Sequence, residues 1–101
     1  MPYCYILYSK SKDKYYVGAT QDPVKDRLDK HNQKFYGDKS FTSITSDWEL
    51  FLTIQVKDFN HALRIEKHIK KMKSRTFIQN LKKYPDLLEN TVARTCTWLL
   101  R

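Results

Sequence analysis

One predicted helix late in the chain carries a carboxylate among apolar neighbours. Apolar residues recur in this segment at Ala62, Ile65, Ile69 and Met72, which predicts an amphipathic helix that advances about 100° per residue. Glu66 falls inside the same arc and not opposite it. An ionised carboxylate that faces a core is strongly disfavoured unless a cation, a metal or hydrogen-bond donors receive it. The fold therefore has to place one of these partners beside Glu66.

The size and composition of the chain predict one compact domain. A chain of 101 residues is long enough for one modest core but not for two. Hydrophobic residues make up 41% of it and aromatic residues 14%, which favours a folded protein although 30% of the residues are charged. We expect a single domain over residues 1–101.

The charge of the chain indicates an anionic partner. The formal net charge is +8, which attracts nucleic acid at least non-specifically. One basic segment has Glu66 as its single acid, and its bases are Arg64, Lys67, Lys70, Lys71, Lys73, Arg75, Lys82 and Lys83. A second basic group, which includes Lys14 and Lys30, lies nearer the N-terminus. Each lysine alone is more often part of a solvated helix face, whereas the whole set favours phosphate contact.

The cysteines and the lack of long apolar runs indicate in which compartment of the cell the protein resides. Cys4 and Cys96 are isolated, without the spacing of a zinc site, and we expect both to stay reduced. No apolar run reaches the roughly 20 residues of a membrane helix, and the N-terminus lacks the layout of a signal peptide. We expect a cytoplasmic protein with no membrane partner.

The N-terminal residues predict a β-hairpin. Two aromatic and branched segments are separated by a polar one. Alternation places Tyr3, Tyr5 and Leu7 on one face of the first strand. Tyr16 and Gly18 share one face of the second strand, where Gly18 leaves bare backbone beside Tyr16. The register, and with it whether Tyr5 and Tyr16 share a face, stays open.

A helix is predicted after the hairpin. Asp22 and Pro23 form a helix start, because Asp caps free amides and Pro suits the first helical position. Arg27 and His31 fall within or beside the apolar arc of this helix, so both bases point inward or along its border. Residues 33–47 are polar and predict a loop, which we take as a candidate for substrate contacts.

The second half of the chain predicts one more strand and two more helices. Residues 48–56 have the composition of a strand. Asp58 or Asn60 then caps the helix that bears the buried-side carboxylate. Ser74 caps the next helix, which Pro85 stops. The residues that follow indicate no clear element.

Several of these residues follow one another in the order typical of a known family. They are Tyr3-Cys4-Tyr5, Tyr16-Val17-Gly18, Arg27, His31, Glu66 and Asn80. With this set the chain resembles the GIY-YIG endonucleases over roughly residues 3–84. It looks closest to small stand-alone bacterial members, which are similar to the nuclease domains of excision-repair incision proteins.

The resemblance implies a fold and a reaction. The implied fold is α+β, a small three-stranded antiparallel sheet flanked by three or more helices, with the catalytic groups on one face of the sheet. Residues 85–101 would then extend a core over about 3–84. The implied reaction is hydrolysis of a phosphodiester bond with Mg²⁺ or Mn²⁺ as cofactor.

The resemblance also implies a role for each residue. Tyr16 corresponds to the tyrosine that activates the attacking water, and Tyr5 to its companion near the scissile phosphate. Arg27 corresponds to the arginine that stabilises the phosphate, and His31 to the His or Tyr one helical turn later. Glu66 corresponds to the sole protein ligand of the divalent metal.

The match to the family pattern is incomplete. Tyr3 and Cys4 stand where the family has Gly and Ile, although the tyrosine of that motif is kept. Ala19 stands where some members have a Lys, so any proton-handling role of that Lys is absent. Asn80 corresponds to a polar residue near the site in some members and is equally suited to hydrogen-bonding a loop.

Elementary chemistry supports the same assignments. A phosphodiester needs its added negative charge neutralised, a water deprotonated and a leaving oxygen stabilised. Arg27 presents a planar fork of donors to phosphate oxygens. A hard cation keeps waters as most of its ligands, so one Glu66 suffices. For DNA contacts the candidates are Gly18, Lys30, Lys70, Lys73, Arg75 and Asn80.

Plainer roles remain open for the same side chains. Each tyrosine alone fits an ordinary strand aromatic. His31 alone fits a helix C-terminus, where the dipole favours a cation. Arg27 is able to pair with Asp22 or Asp26. Glu66 is able to pair along its own helix with Lys70.

The leading hypothesis is a small metal-dependent DNA endonuclease. It would act as a monomer on duplex, nicked or branched DNA with low sequence specificity, because no targeting domain accompanies the core. RNA stays open as an alternative substrate. A rival is a catalytically idle nucleic-acid-binding module with the same fold. A third possibility is a protein-interaction domain that uses Trp98-Leu99-Leu100 as its contact.

Overall fold

The structure is a computed structural model that describes residues 2–32 and 45–95. Its elements are β1 (Tyr3–Ser9), β2 (Lys14–Thr20), α1 (Val24–Asn32), β3 (Trp48–Gln55), α2 (Phe59–Met72), α3 (Arg75–Lys83) and α4 (Pro85–Arg94). The α+β class and the three-stranded antiparallel sheet flanked by helices are confirmed. No helix within the described ranges is both long and apolar enough to cross a membrane. Most of the predicted 33–47 loop and the Trp98-Leu99-Leu100 segment lie outside the described residues.

The hairpin register decides which side chains meet. The strand order is β2-β1-β3, and β1 is antiparallel to both neighbours. Tyr5 pairs with Gly18, and Leu7 pairs with Tyr16. Because directly paired residues point to the same face of a sheet, Tyr5 and Tyr16 share a face as diagonal neighbours. The register thus answers the question that the hairpin sequence leaves open.

The sheet separates two apolar clusters. On one face Cys4 and Ile6 pack with Ile65 of α2, and α3 and α4 add side chains to the same cluster. On the other face Leu7 packs with Val24 of α1. The sheet is therefore the middle of three layers, with α1 on one side and α2, α3 and α4 on the other. Strand β2 forms one edge of the sheet.

The helices α2 and α3 begin at predicted capping residues. The Asp58 carboxylate accepts a hydrogen bond from the backbone N–H of His61 at 2.8 Å, so Asp58 and not Asn60 caps α2. The Ser74 hydroxyl accepts from the backbone N–H of Phe77 at 3.1 Å and caps α3. Both caps satisfy amides that a helix start leaves without a partner.

The helix α4 lies where the sequence predicts no element. The His61 Nε2 donates to the carbonyl of Val92 at 2.9 Å, and the Arg64 Nε donates to the carbonyl of Thr95 at 2.7 Å. These bonds tie the end of α4 to α2. Each joins residues 31 positions apart, so no local pattern in the sequence could show them.

The orientation of α2 predicts that substitutions on its buried face destabilise the protein more than substitutions on its exposed face. Ile65 is fully buried, and Ile65→Ala should lower the free energy of unfolding by about 2–5 kcal/mol because it leaves a cavity. The control is Leu63→Ala on the same helix, where the side chain is 40% exposed and a loss below about 1 kcal/mol is expected. Urea unfolding measures both. Equal losses in the two variants would contradict the orientation of α2.

Candidate active site

Two phenols lie side by side on the face of the sheet that α1 covers. The side chain of Tyr5 is buried, that of Tyr16 is half-buried, and their ring centroids are 6.3 Å apart. Their diagonal positions on paired strands produce this spacing. The ring of Trp48 packs on Tyr16 with centroids 6.4 Å apart. The strand pairing therefore fixes where both hydroxyl-bearing rings sit.

Gly18 makes room for the buried phenol. A Cβ atom at position 18 would lie 2.6 Å from both Cζ and Oη of Tyr5. The Tyr5 ring therefore crosses bare backbone, and any larger residue at position 18 would push it away. The close approach of the Tyr5 ring thus explains why the third position of the Tyr16-Val17-Gly18 motif is glycine. Its expected contact with DNA stays a prediction.

Helix α1 adds an imidazole to the phenols. The His31 Nε2 lies 2.9 Å from the Tyr5 Oη in a buried hydrogen bond, and the His31 ring centroid is 4.8 Å from that of Tyr16. Burial and, second, the charge of Arg27 lower the pKa of His31 to about 4. At neutral pH the imidazole is uncharged, so one ring nitrogen is able to accept a proton. The helix dipole therefore does not explain this position, because it favours a charged His.

Arg27 enters the site from one helical turn earlier. Its Nε donates to the Thr20 Oγ1 at 3.0 Å, and its Nη2 lies 3.6 Å from the Asp22 carboxylate. Thr20 is fully buried and also accepts from the backbone N–H of Asp22 at 2.9 Å. Exposed ion pairs contribute only about 0–1 kcal/mol, so of these two contacts Thr20 orients Arg27 more strongly. The pairing with Asp22 that the sequence allows is present.

Glu66 reaches the site from the other face of the sheet. Helix α2 packs behind β1 and β2, and Glu66 lies with Tyr16 and Gly18 at the β2 edge. The expectation that all catalytic groups share one face is therefore wrong for Glu66. It fails because β2 is an edge strand, and a long side chain on a helix behind it passes around that edge. The required partner is Lys70, whose Nζ donates to the Glu66 Oε2 at 2.8 Å.

The negative charge of Glu66 also affects the pKa of a cysteine on the face of the sheet that packs on α2. Burial and, second, the charge of Glu66 raise the pKa of the Cys4 thiol to about 12, and Lys70 opposes this. The thiol stays protonated within the cluster that packs on α2. The side chain at position 4, where the family has Ile, therefore faces the core and does not line the pocket.

The predicted catalytic and metal-binding residues line one pocket. Its volume is about 300 Å³, and the described residues that line it are Tyr5, Tyr16, Gly18, Ala19, Arg27, His31 and Glu66. The hairpin supplies the phenols, α1 the guanidinium and the imidazole, and α2 the carboxylate. Such a set is able to bind an anion, hold a proton and offer oxygen to a metal. These are the needs of phosphodiester hydrolysis.

The six candidate DNA-contacting residues divide into three groups, and the first is Gly18 alone, which lines the pocket. Three of them line a second groove of about 470 Å³ that shares Tyr16 with the pocket: Lys70, Lys73 and Arg75. Lys30 and Asn80 line neither space. Asn80 is half-buried in α3, where its carbonyl accepts from the backbone N–H of Tyr84 at 2.8 Å.

Two contributors are not found by sequence reasoning. Thr20 orients Arg27, yet a threonine at a strand end carries no special signal. Trp48 packs on Tyr16, yet the sequence shows it only as the start of a strand. Both act through contacts between separate elements, which local patterns do not encode.

The fold and the pocket together define a small α+β domain with a pocket at a sheet edge, and two tyrosines, an arginine, a histidine and a glutamate line this pocket. The family model described as the GIY-YIG catalytic domain matches residues 1–83. The chain therefore belongs to the GIY-YIG family, a family of nuclease domains that act on nucleic acid. Comparisons with curated proteins and with solved structures find no match. The expected likeness to excision-repair incision proteins is not shown by these comparisons.

The contact between Gly18 and Tyr5 predicts a coupled stability effect. Gly18→Ala should lower the free energy of unfolding by about 1–3 kcal/mol, because its Cβ overlaps the phenol. The loss should shrink when the ring is absent, in a Tyr5→Ala background. Chemical denaturation of the four proteins in this cycle measures the coupling. A loss of the same size in both backgrounds would contradict the close approach.

The neutral state of His31 predicts a pH dependence of stability. Between about pH 6.5 and pH 4 the unfolded chain binds a proton that folded His31 does not. Stability should therefore fall as the pH falls through this window, by about 3 kcal/mol from this group. Urea unfolding across the window measures it, with His31→Gln expected to remove the dependence and His68→Gln to keep it. A wild-type slope in His31→Gln would refute the assignment.

Proposed function

We propose that this protein is a metal-dependent endonuclease that hydrolyses phosphodiester bonds of DNA in the pocket at the β2 edge. The convergence of two phenols, a neutral imidazole, a guanidinium and a carboxylate in one space carries the proposal. The GIY-YIG match over residues 1–83 supports a nuclease reaction. We further propose a monomeric, cytoplasmic enzyme whose single domain spans residues 1–101.

Arg27 is the proposed phosphate-binding residue. Its Nε is held by Thr20, which directs the planar fork of donors at the pocket. A guanidinium matches two phosphate oxygens at once and stays charged at every working pH. The added negative charge of the transition state would therefore strengthen its hydrogen bonds.

Tyr16 is the proposed base for the attacking water. Such a role needs positive charge near the phenol, and the Lys70 Nζ lies 5.8 Å from the Tyr16 ring centroid. His31 is uncharged and hydrogen-bonded to Tyr5, so this pair is able to take up or return a proton beside Tyr16. Tyr5 would thus hold a proton near the scissile phosphate.

Glu66 is the residue that fits a divalent ion. Within the part of the chain that the structure describes, no group of three or more His, Cys, Asp or Glu could hold a metal. A single carboxylate suits Mg²⁺ or Mn²⁺, which keep water as most of their ligands. The pair with Lys70 is exposed on the ammonium side and contributes about 0.3–0.5 kcal/mol, so an ion competes with it. When bound, the ion supplies positive charge to phosphate oxygens.

A catalytically idle DNA-binding module is the second candidate. The Lys70 ammonium already neutralises the Glu66 carboxylate, which is the observation that favours it. The two candidates differ in one outcome, because the idle module would bind DNA without cutting it under any divalent ion. For the active enzyme we expect products with a 3′-hydroxyl and a 5′-phosphate.

Removal of the metal ligand tests the proposal. Glu66→Gln keeps the shape but not the charge of the side chain, and cleavage with Mg²⁺ should fall about 100-fold or more. Binding of DNA in EDTA should persist, because the basic surface is unchanged. Glu89→Gln on α4 is the matched control, since this exposed helical glutamate lies outside the pocket. Cleavage of a nicked or branched duplex with Mg²⁺ or Mn²⁺ is the measurement, and full activity of Glu66→Gln would refute the assignment.

A further inference from the structure

A groove beside the pocket is lined by several cations, of which the proposed chemistry uses only Lys70. This basic groove has a volume of about 470 Å³ and shares Tyr16 with the pocket. Its cations are Lys14, Lys70, Lys73 and Arg75. Among the described residues that line it there is no Asp or Glu. The groove is therefore suited to an anionic ligand.

Two of the four cations, Arg75 and Lys70, make hydrogen bonds to other residues of the protein. The Arg75 Nη1 donates to the Asp13 carboxylate at 2.7 Å, and its Nη2 donates to the Asp13 carbonyl at 2.6 Å. This clamp holds the hairpin turn against the start of α3 and forms a wall of the groove. Lys70 is held by Glu66. We therefore assign Arg75 a positioning task instead of the expected DNA contact.

Lys14 and Lys73 are the cations left for a ligand. Both are exposed, and neither makes an ion pair with any residue in 2–32 or 45–95. Lys73 also has a left-handed backbone, with φ 48° and ψ 39°, at the end of α2. Glycine adopts this conformation at lower cost than lysine. The backbone at position 73 therefore accepts glycine without strain, so the charge of Lys73 is removable at no conformational cost.

The floor between the cations is apolar and aromatic. It is formed by Tyr15, Val17, Ile69 and Ile78. A cationic rim above such a floor suits a nucleotide, because its phosphate is able to pair with the cations while its sugar and base pack on the apolar floor. A free inorganic anion would leave the floor uncovered.

We propose that the basic groove binds the nucleotide next to the scissile phosphate of a DNA strand. Lys14 and Lys73 contact its backbone phosphates, and the base and sugar lie on the apolar floor. The position of this nucleotide beside the scissile phosphate rests on the proposed function, because it is inferred from Tyr16, which borders both the groove and the pocket. Strand binding in the groove is a separate property, which is testable without cleavage.

Lys73→Gly tests the groove without cost to the fold. The variant removes the charge and relieves the left-handed backbone, so its thermal midpoint should not fall below that of the wild type. Its affinity for a short single-stranded DNA oligonucleotide in EDTA should fall several-fold. The slope of log affinity against log salt should become shallower by about 0.7, because one phosphate contact is lost. Fluorescence anisotropy over a salt series measures both.

Two matched comparisons complete the test. Lys14→Ala should reproduce the shallower slope, whereas Lys57→Ala should keep the wild-type slope, because this exposed lysine between β3 and α2 lies outside the groove. The wild type should bind a strand without bases more weakly than the same strand with bases. Wild-type affinity and slope in both groove variants, or an equal loss in Lys57→Ala, would overturn the assignment. Equal binding of the two strands would overturn the placement of the base.

The result also separates this inference from the proposed function. Groove-dependent binding without any cleavage would contradict the endonuclease and support the groove. Cleavage that is unaffected by Lys14→Ala and Lys73→Gly would support the endonuclease and contradict the groove.

Discussion

The close approach of Tyr5 to the backbone of Gly18 is the contact on which the pocket depends. The antiparallel register places the two residues opposite each other, and the missing Cβ lets the phenol cross the neighbouring strand. From that position Tyr5 reaches His31 and stands beside Tyr16. A slip of β2 by one residue against β1 would turn β2 over and move Tyr16 to the face that packs on α2, away from Tyr5. One backbone contact therefore fixes the place of three functional side chains.

Charge balance at the sheet edge follows from the same arrangement. Glu66 passes around β2 and is neutralised by Lys70, while Arg27 is held by Thr20 and Asp22. His31 stays uncharged because burial and the neighbouring guanidinium disfavour a second cation. Among its described residues the pocket thus combines a guanidinium, a paired carboxylate, and an uncharged imidazole that is hydrogen-bonded to a phenol. This combination is suited to an anionic substrate and a hydrated metal.

Much of the fold is predictable because its signals are local. The aromatic alternation of the hairpin and the caps at Asp58 and Ser74 lie within a few residues of the elements that they define. Helix α4 is missed because its anchors are hydrogen bonds from α2 to its far end. The clamp between Arg75 and Asp13 is missed for the same reason, since it joins residues 62 positions apart.

The sequence by itself determined the kinds of side chain, the approximate spans of the three strands and of helices α1, α2 and α3, and the family pattern from Tyr5 to Glu66. These depend on periods of two and 3.6 residues and on capping, which act over short distances along the chain. The tertiary structure alone decided that Tyr5 and Tyr16 share a face, that Glu66 enters from behind the sheet, and that a basic groove adjoins the pocket. Register, edge position and helix packing are set by contacts between distant segments, and no local pattern carries that information.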